Sequence, residues 1–189
     1  MRVFGIDPGS IRTGYGCIET DGQRHRMVAC GAITSAAGAT LPDRLHNIHD
    51  QLRGLLVRHH PDCVVIENLF HAKNVKSALV LGHARGVAVL AAVQSRVPVL
   101  EYTPAEIKAS VVGYGRADKH QMQQMVKLLL GLDAVPTPHD AADALAVAIC
   151  HVHASGPVAQ IATEAARAPR HLKSWRHVKI AQIARRQVP

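Results

Sequence analysis

Apolar residues first recur along the chain in short runs. Arg2 to Ile6, Gly14 to Thr20 and Arg26 to Ile33 read as three β-strands, with Asp7-Pro8-Gly9 and Asp21-Gly22 as turn signals between them. Such close spacing predicts an antiparallel meander. The period then changes: Leu45, Ile48, Leu52, Leu55 and Leu56 recur at helical spacing until Pro61. The run Cys63-Val64-Val65-Ile66 that follows is apolar on both faces, as expected of a buried central strand reached by a parallel crossover.

A second helix is predicted from about Asn74 to Gln94. Ala78, Gly82 and Gly86 form a small-residue stripe along it, on which another helix, and so a second copy of the chain, can pack closely. Val97 to Tyr102 reads as a strand, and Thr103-Pro104-Ala105-Glu106 as a capping box with proline at the first helical position. Met122, Met125, Val126, Leu129 and Leu130 mark a further helix that Gly131 ends. Thr137-Pro138-His139-Asp140 repeats the capping signature before a last helix from Asp140 to about His153. The predicted fold is α/β: a three-layer arrangement whose mixed five-stranded sheet begins with three antiparallel strands and is flanked by helices. After Ser155-Gly156-Pro157 the pattern fades. Leu172, Trp175, Val178 and Ile183 allow a short helix there, and the cations fit disorder equally well, so the expected division is a domain at 1–154 and a basic tail at 155–189.

Composition narrows the function. With 48% hydrophobic but only 3% aromatic residues, the core must be aliphatic, and disorder throughout is excluded. Apolar runs fall short of the roughly 18–20 residues of a membrane span, and Asp7 interrupts the N-terminus too early for a signal peptide; a cytoplasmic protein without membrane contact is expected. Cys17, Cys30, Cys63 and Cys150 lie far apart and read as buried thiols, not as a zinc site or a disulfide framework. Of the net charge of +8, residues 155–189 carry +6, which suggests an anionic partner such as nucleic acid.

Candidate chemistry lies in four carboxylates. Asp7 ends the first strand and Glu67 follows the central one, the strand ends at which open α/β sheets place their sites. Asp140 and Asp143, three apart, share one face of a helix that is apolar nearly all round. Plain structural roles exist for three of them: a turn for Asp7, an exposed strand end for Glu67, and a helix cap for Asp140. Asp143 has no such role and calls for a cation, with His139 as an auxiliary group four residues earlier. Together the four make an oxygen-rich site suited to Mg²⁺ or Mn²⁺, of the kind that cuts phosphodiesters with two metal ions.

Several stretches, taken as a set, resemble one family. Gly5-Ile6-Asp7-Pro8-Gly9-Ser10 with Thr13-Gly14-Tyr15-Gly16, Ile66-Glu67, Ala72-Lys73-Asn74 with Leu81-Gly82-His83-Ala84-Arg85-Gly86, and Asp140-Ala141-Ala142-Asp143-Ala144-Leu145-Ala146 look like those of the RuvC-type Holliday-junction resolvases. Order and spacing hold over about residues 1 to 154. The resemblance implies a ribonuclease H-like fold and a homodimer whose two sites nick opposing strands of a four-way DNA junction in recombination and repair. It implies Asp7, Glu67, Asp140 and Asp143 as the catalytic metal ligands, with Mg²⁺ as cofactor, and Lys108 and Lys119 near the scissile phosphate. It further implies that Phe70 meets bases at the junction centre, and that a branch-migration motor is a partner. Lys73 and Lys76 surround Phe70 with positive charge, although a core Phe and solvated lysines are the structural alternatives. The tail departs from the family pattern.

Three rival functions follow from related chemistry. A sugar-kinase or actin-like ATPase needs two such domains, for which 189 residues are too few. A junction-binding protein that has lost catalysis would not need all four carboxylates. A ribonuclease H-like nuclease acting on RNA or another branched substrate differs only in substrate.

Overall fold

The computed structural model describes residues 1–68 and 74–156. Its elements run β1 (Arg2–Asp7), β2 (Arg12–Thr20), β3 (His25–Thr34), α1 (Leu41–His59), β4 (Cys63–Glu67), α2 (Val75–Gln94), β5 (Val99–Tyr102), α3 (Pro104–Val112), α4 (Lys119–Leu129) and α5 (His139–Ser155). The five strands form one mixed sheet in the order β3-β2-β1-β4-β5, antiparallel through β3, β2 and β1 and parallel from β1 to β4 to β5. This is the expected α/β arrangement with one difference of order. The middle strand is β1, and β4 lies between β1 and the edge strand β5.

Strand alternation divides the core into two layers. Val3, Cys63, Val65 and Ile18 face one side, where they pack against α3, α4 and α5. Phe4, Ile6, Val64 and Ile66 face the other, against Ile48, Leu52 and Leu56 of α1 and Ala84, Ala88, Ala91 and Ala92 of α2. The four cysteines are free thiols, and burial pushes those of Cys17, Cys63 and Cys150 up to about 11, so they serve as small core residues.

Local chemistry accounts for the helix boundaries. α1 starts in a capping box between Thr40 and Asp43 that precedes the apolar pattern, with a proline in the first turn, and ends at His60 in the left-handed region just before Pro61. α3 has the predicted box between Thr103 and Glu106. At α5 the expected cap is absent: the helix begins at His139, Pro138 is its N-cap, and no side chain caps it. Thr137 lies one residue too early to bond the first-turn amides.

α2 also amends the expectation about membrane-length segments. Val75–Gln94 has the length and average apolarity of a span, although Lys76 and Arg85 interrupt its apolar run. Its alanine face packs on the sheet, while Val75, Leu79, Leu90 and Val93 on other faces are exposed.

Candidate metal centre

Parity and register place the first two carboxylates. On β1, Val3 faces α5 and so do Gly5 and Asp7; on β4, Cys63 and Val65 do, and so does Glu67. The strands are parallel with Ile6 opposite Ile66, so Asp7 and Glu67 emerge side by side at their carboxyl ends. The two carboxyl groups are hydrogen-bonded to each other.

The other two arrive on α5, which lies closer to the sheet than side chains normally allow. A Cβ on Gly5 would fall within 3.0 Å of the Ala144 carbonyl, one on Gly14 within 3.0 Å of the Asp140 carbonyl, and one on Gly16 would lie 2.7 Å from the Leu145 side chain. Glycines on β1 and β2 thus form a bed for the alanine-rich helix. Set into it, α5 delivers Asp140 and Asp143 from its first two turns. Oxygen atoms of Asp7, Asp140 and Asp143 all lie within 4.8 Å of one another.

The electrostatics follow from this crowding. Burial, then the charges of Glu67, Asp143 and Asp140, push Asp7 up to about 8. Burial likewise raises Glu67, against the opposing pull of its bond to Asp7 and of Lys108 and Lys119. Near neutral pH the Asp7–Glu67 pair therefore holds a proton that two isolated surface carboxylates would have lost. Two cations answer the outer pair: Lys119 Nζ lies 2.9 Å from Asp143 Oδ2, and Arg12 Nη1 lies 3.3 Å from Asp140 Oδ2. The bond to Asp143 raises the Lys119 ammonium above its ordinary range. Beside them opens a cleft of about 240 Å³ lined by Glu67, Lys108, Lys119, Met122 and Asp143.

The donor set fits a divalent cation. All four donors are hard oxygens, three already converge, and the proton shared by Asp7 and Glu67 marks a surplus of negative charge that a divalent ion would relieve. Asp7, Asp140 and Asp143 would hold it, with Glu67 at its edge.

His139 occupies a different position from the one expected. Its Nδ1 pairs with Gln123 Nε2 at 2.7 Å, and the cation beside Asp143 is Lys119. Lys108 and Lys119 both line the cleft, and Lys76 is exposed in the first turn of α2. Phe70 and Lys73 lie outside the described residues, as does the chain from residue 157 onward. Arg12 escaped sequence reading, because a cation at a strand start gives no sign that a residue 128 positions away needs it. The glycine bed left a signal in Gly5, Gly14 and Gly16, whose alternation matches the alanine-rich helix.

A mixed sheet with an antiparallel first half and a carboxylate cluster where β1, β4 and α5 meet defines a nuclease of the ribonuclease H-like class. Residues 3–151 match the family described as crossover junction endodeoxyribonuclease RuvC. Proteins of that name from Chloroflexus aggregans and Alkaliphilus oremlandii are 52% and 53% identical over 153 residues, covering 81% of this chain and 93% of theirs. The structure of Thermus thermophilus RuvC aligns with a TM-score of 0.77 at 31% identity, covering 86% of this chain and 98% of that one. Thermus RuvC in complex with Holliday junction substrate aligns with a TM-score of 0.78 at 32% identity, covering 86% and 97%. This chain belongs to the RuvC family.

Proposed function

We propose that the protein is a structure-specific endodeoxyribonuclease that resolves four-way DNA junctions in recombination and repair, with Asp7, Glu67, Asp140 and Asp143 as its catalytic carboxylates. The observation that carries this reading is the convergence of Asp7, Asp140 and Asp143 within 4.8 Å, with Glu67 bonded to Asp7, in a chain of the RuvC family. Magnesium is the proposed cofactor, two ions per site with manganese able to substitute; when bound it supplies activation of water and stabilisation of the leaving oxygen.

The chain's own residues do the rest. Lys119 and Lys108 line the cleft beside the carboxylates, where their ammonium groups draw in a phosphodiester and offset its charge against four acids. Arg12 holds Asp140, so that carboxylate keeps its direction as the cleft fills. The proton on the Asp7–Glu67 pair is the one that ion binding displaces. Phe70, Lys73 and Lys76 are proposed as junction contacts, residues 1–154 as the nuclease domain, residues 155–189 as an appended basic tail, and a branch-migration motor as a partner.

The active form is proposed to be a homodimer built on α2. The stripe Ala78, Gly82 and Gly86 lines an open groove of about 450 Å³ with Leu45, Leu79, Val87 and Leu90, and a Cβ on Gly82 or Gly86 would meet nothing within 4 Å. A second copy of α2 would cover the exposed Leu79 and Leu90. Two sites related by a two-fold axis suit two symmetric nicks. The test is incubation with a synthetic four-way junction, a linear duplex and an RNA–DNA hybrid, each with Mg²⁺, Mn²⁺ or EDTA. Paired nicks in the junction alone, lost in EDTA, are expected; cleavage of the hybrid alone would overturn the reading.

A further inference from the structure

We infer that Tyr114 and Arg116, on the loop joining α3 to α4, form a second nucleic-acid contact in which the Tyr114 ring stacks on a nucleobase beside the cleavage cleft. The inference rests on the proposed nuclease function and adds a contact to that site.

Tyr114 presents its ring to solvent, 46% exposed. It is nevertheless held in place. Its hydroxyl donates to Gln121 Oε1 at 2.7 Å, the same oxygen that accepts the Asp118 amide at 3.0 Å in the cap of α4. A pinned ring loses little further freedom when a base is laid on it. Gly113 and Gly115 flank it without side chains, so neither immediate neighbour shields its faces.

Position and charge identify the occupant. Tyr114 follows Lys108 by six residues and precedes Lys119 by five, and both lysines line the cleft. Lys108 lies on α3, which ends at Val112, and Lys119 opens α4, so the loop carrying Tyr114 joins the two helices that bring these lysines to the cleft. Arg116 is exposed in the same loop, and the carboxylate of nearby Asp118 is taken up by the Gln121 amide. A fixed, open aromatic among cations, on the loop between two cleft lysines, is a base-stacking platform.

The test is binding of a fluorescent four-way junction by the full chain in EDTA, over a salt series. Tyr114→Ala should raise Kd about fivefold or more, in line with the stacking energy of one base, with the log–log salt slope unchanged because the ring carries no charge. Tyr114→Phe, which keeps the ring and loses the Gln121 bond that pins it, should lose clearly less than Tyr114→Ala. Arg116→Gln should flatten the slope by about 0.9 if it meets a duplex phosphate. Wild-type binding by Tyr114→Ala, or equal losses in Tyr114→Ala and Tyr114→Phe, would overturn the stacking contact; an unchanged slope in Arg116→Gln would overturn its phosphate contact. A wild-type protein that neither binds nor cuts the junction would overturn the nuclease reading itself.

Discussion

Gly14 on β2 and the main-chain carbonyl of Asp140 on α5 approach so closely that no Cβ fits between them. Asp140 is also the residue that Arg12, two positions before Gly14, holds by its side chain. The strand therefore sets both the height of the helix and the direction of its first carboxylate. Replacing Gly14 with alanine must push α5 outward at the point where Asp140 leaves it, against main-chain atoms that cannot rotate away.

Gly14→Ala is expected to cost about 1–3 kcal/mol of stability by overpacking and to reduce cleavage more than that loss explains, since it moves the carboxylate cluster. Gly54→Ala on α1 is the control: nothing lies within 4 Å of the added methyl, so it should stabilise by about 0.5–1 kcal/mol and leave cleavage unchanged. Urea denaturation paired with single-turnover cleavage separates the two outcomes.

Stability without divalent ions should fall as pH rises. Folding lifts Asp7 from 3.8 to about 8, chiefly by burial, and Glu67 moves the same way. The folded state therefore binds protons more tightly than the unfolded chain. The associated stability is fully present below about pH 3.8 and is lost as pH rises through about 8. Asp7→Asn should flatten this dependence, and added Mg²⁺ should raise Tm more at pH 8 than at pH 5. A Tm of the metal-free protein that climbs steadily from pH 5 to pH 8, with the same profile in Asp7→Asn, would contradict the shift.

Asp7→Asn and Asp143→Asn should each lower cleavage by at least about a hundredfold while leaving junction binding nearly intact, because each removes an oxygen donor and one negative charge facing phosphate. Asp140→Asn should cut equally poorly. Any stability change there sets the lost ion pair with Arg12 and the lost first-turn charge against the relief of repulsion on Asp7, and involves no side-chain cap, since the helix has none at its start. Gel-shift and cleavage assays on one junction check all three.

Gly82→Leu should weaken dimerisation about tenfold or more by filling the groove along α2, equivalent to about 1.4 kcal/mol. Inside one chain a Cβ at Gly82 meets nothing within 4 Å and the rest of the side chain enters an open groove, so the monomer should fold normally. Sedimentation across a dilution series reads the change, and an unaltered monomer–dimer midpoint would argue against this interface.

Sequence and tertiary structure contributed differently to what is known of the molecule. Periodicity with cap and turn signals located the strands and helices, because all of these are local properties: Leu45 to Leu56 can only be one helix face, and Cys63 to Ile66 can only be buried on both sides. The quoted motifs marked Asp7, Glu67, Asp140 and Asp143 for the same reason: the first three occupy a strand end or helix start readable from their neighbours, and Asp143 follows Asp140 by one turn in an otherwise largely apolar helix. Which partner each carboxylate takes was decided by packing across the chain. Lys119 reaches Asp143 from 24 residues away and Arg12 reaches Asp140 from 128, while His139, only four residues from Asp143, turns to Gln123. Thr137 carried a correct local signature for a cap, yet α5 starts one residue beyond its reach. The middle place of β1, and not β4, was likewise invisible in sequence, because two interior strands bury the same kinds of residue and only their hydrogen-bonded neighbours tell them apart.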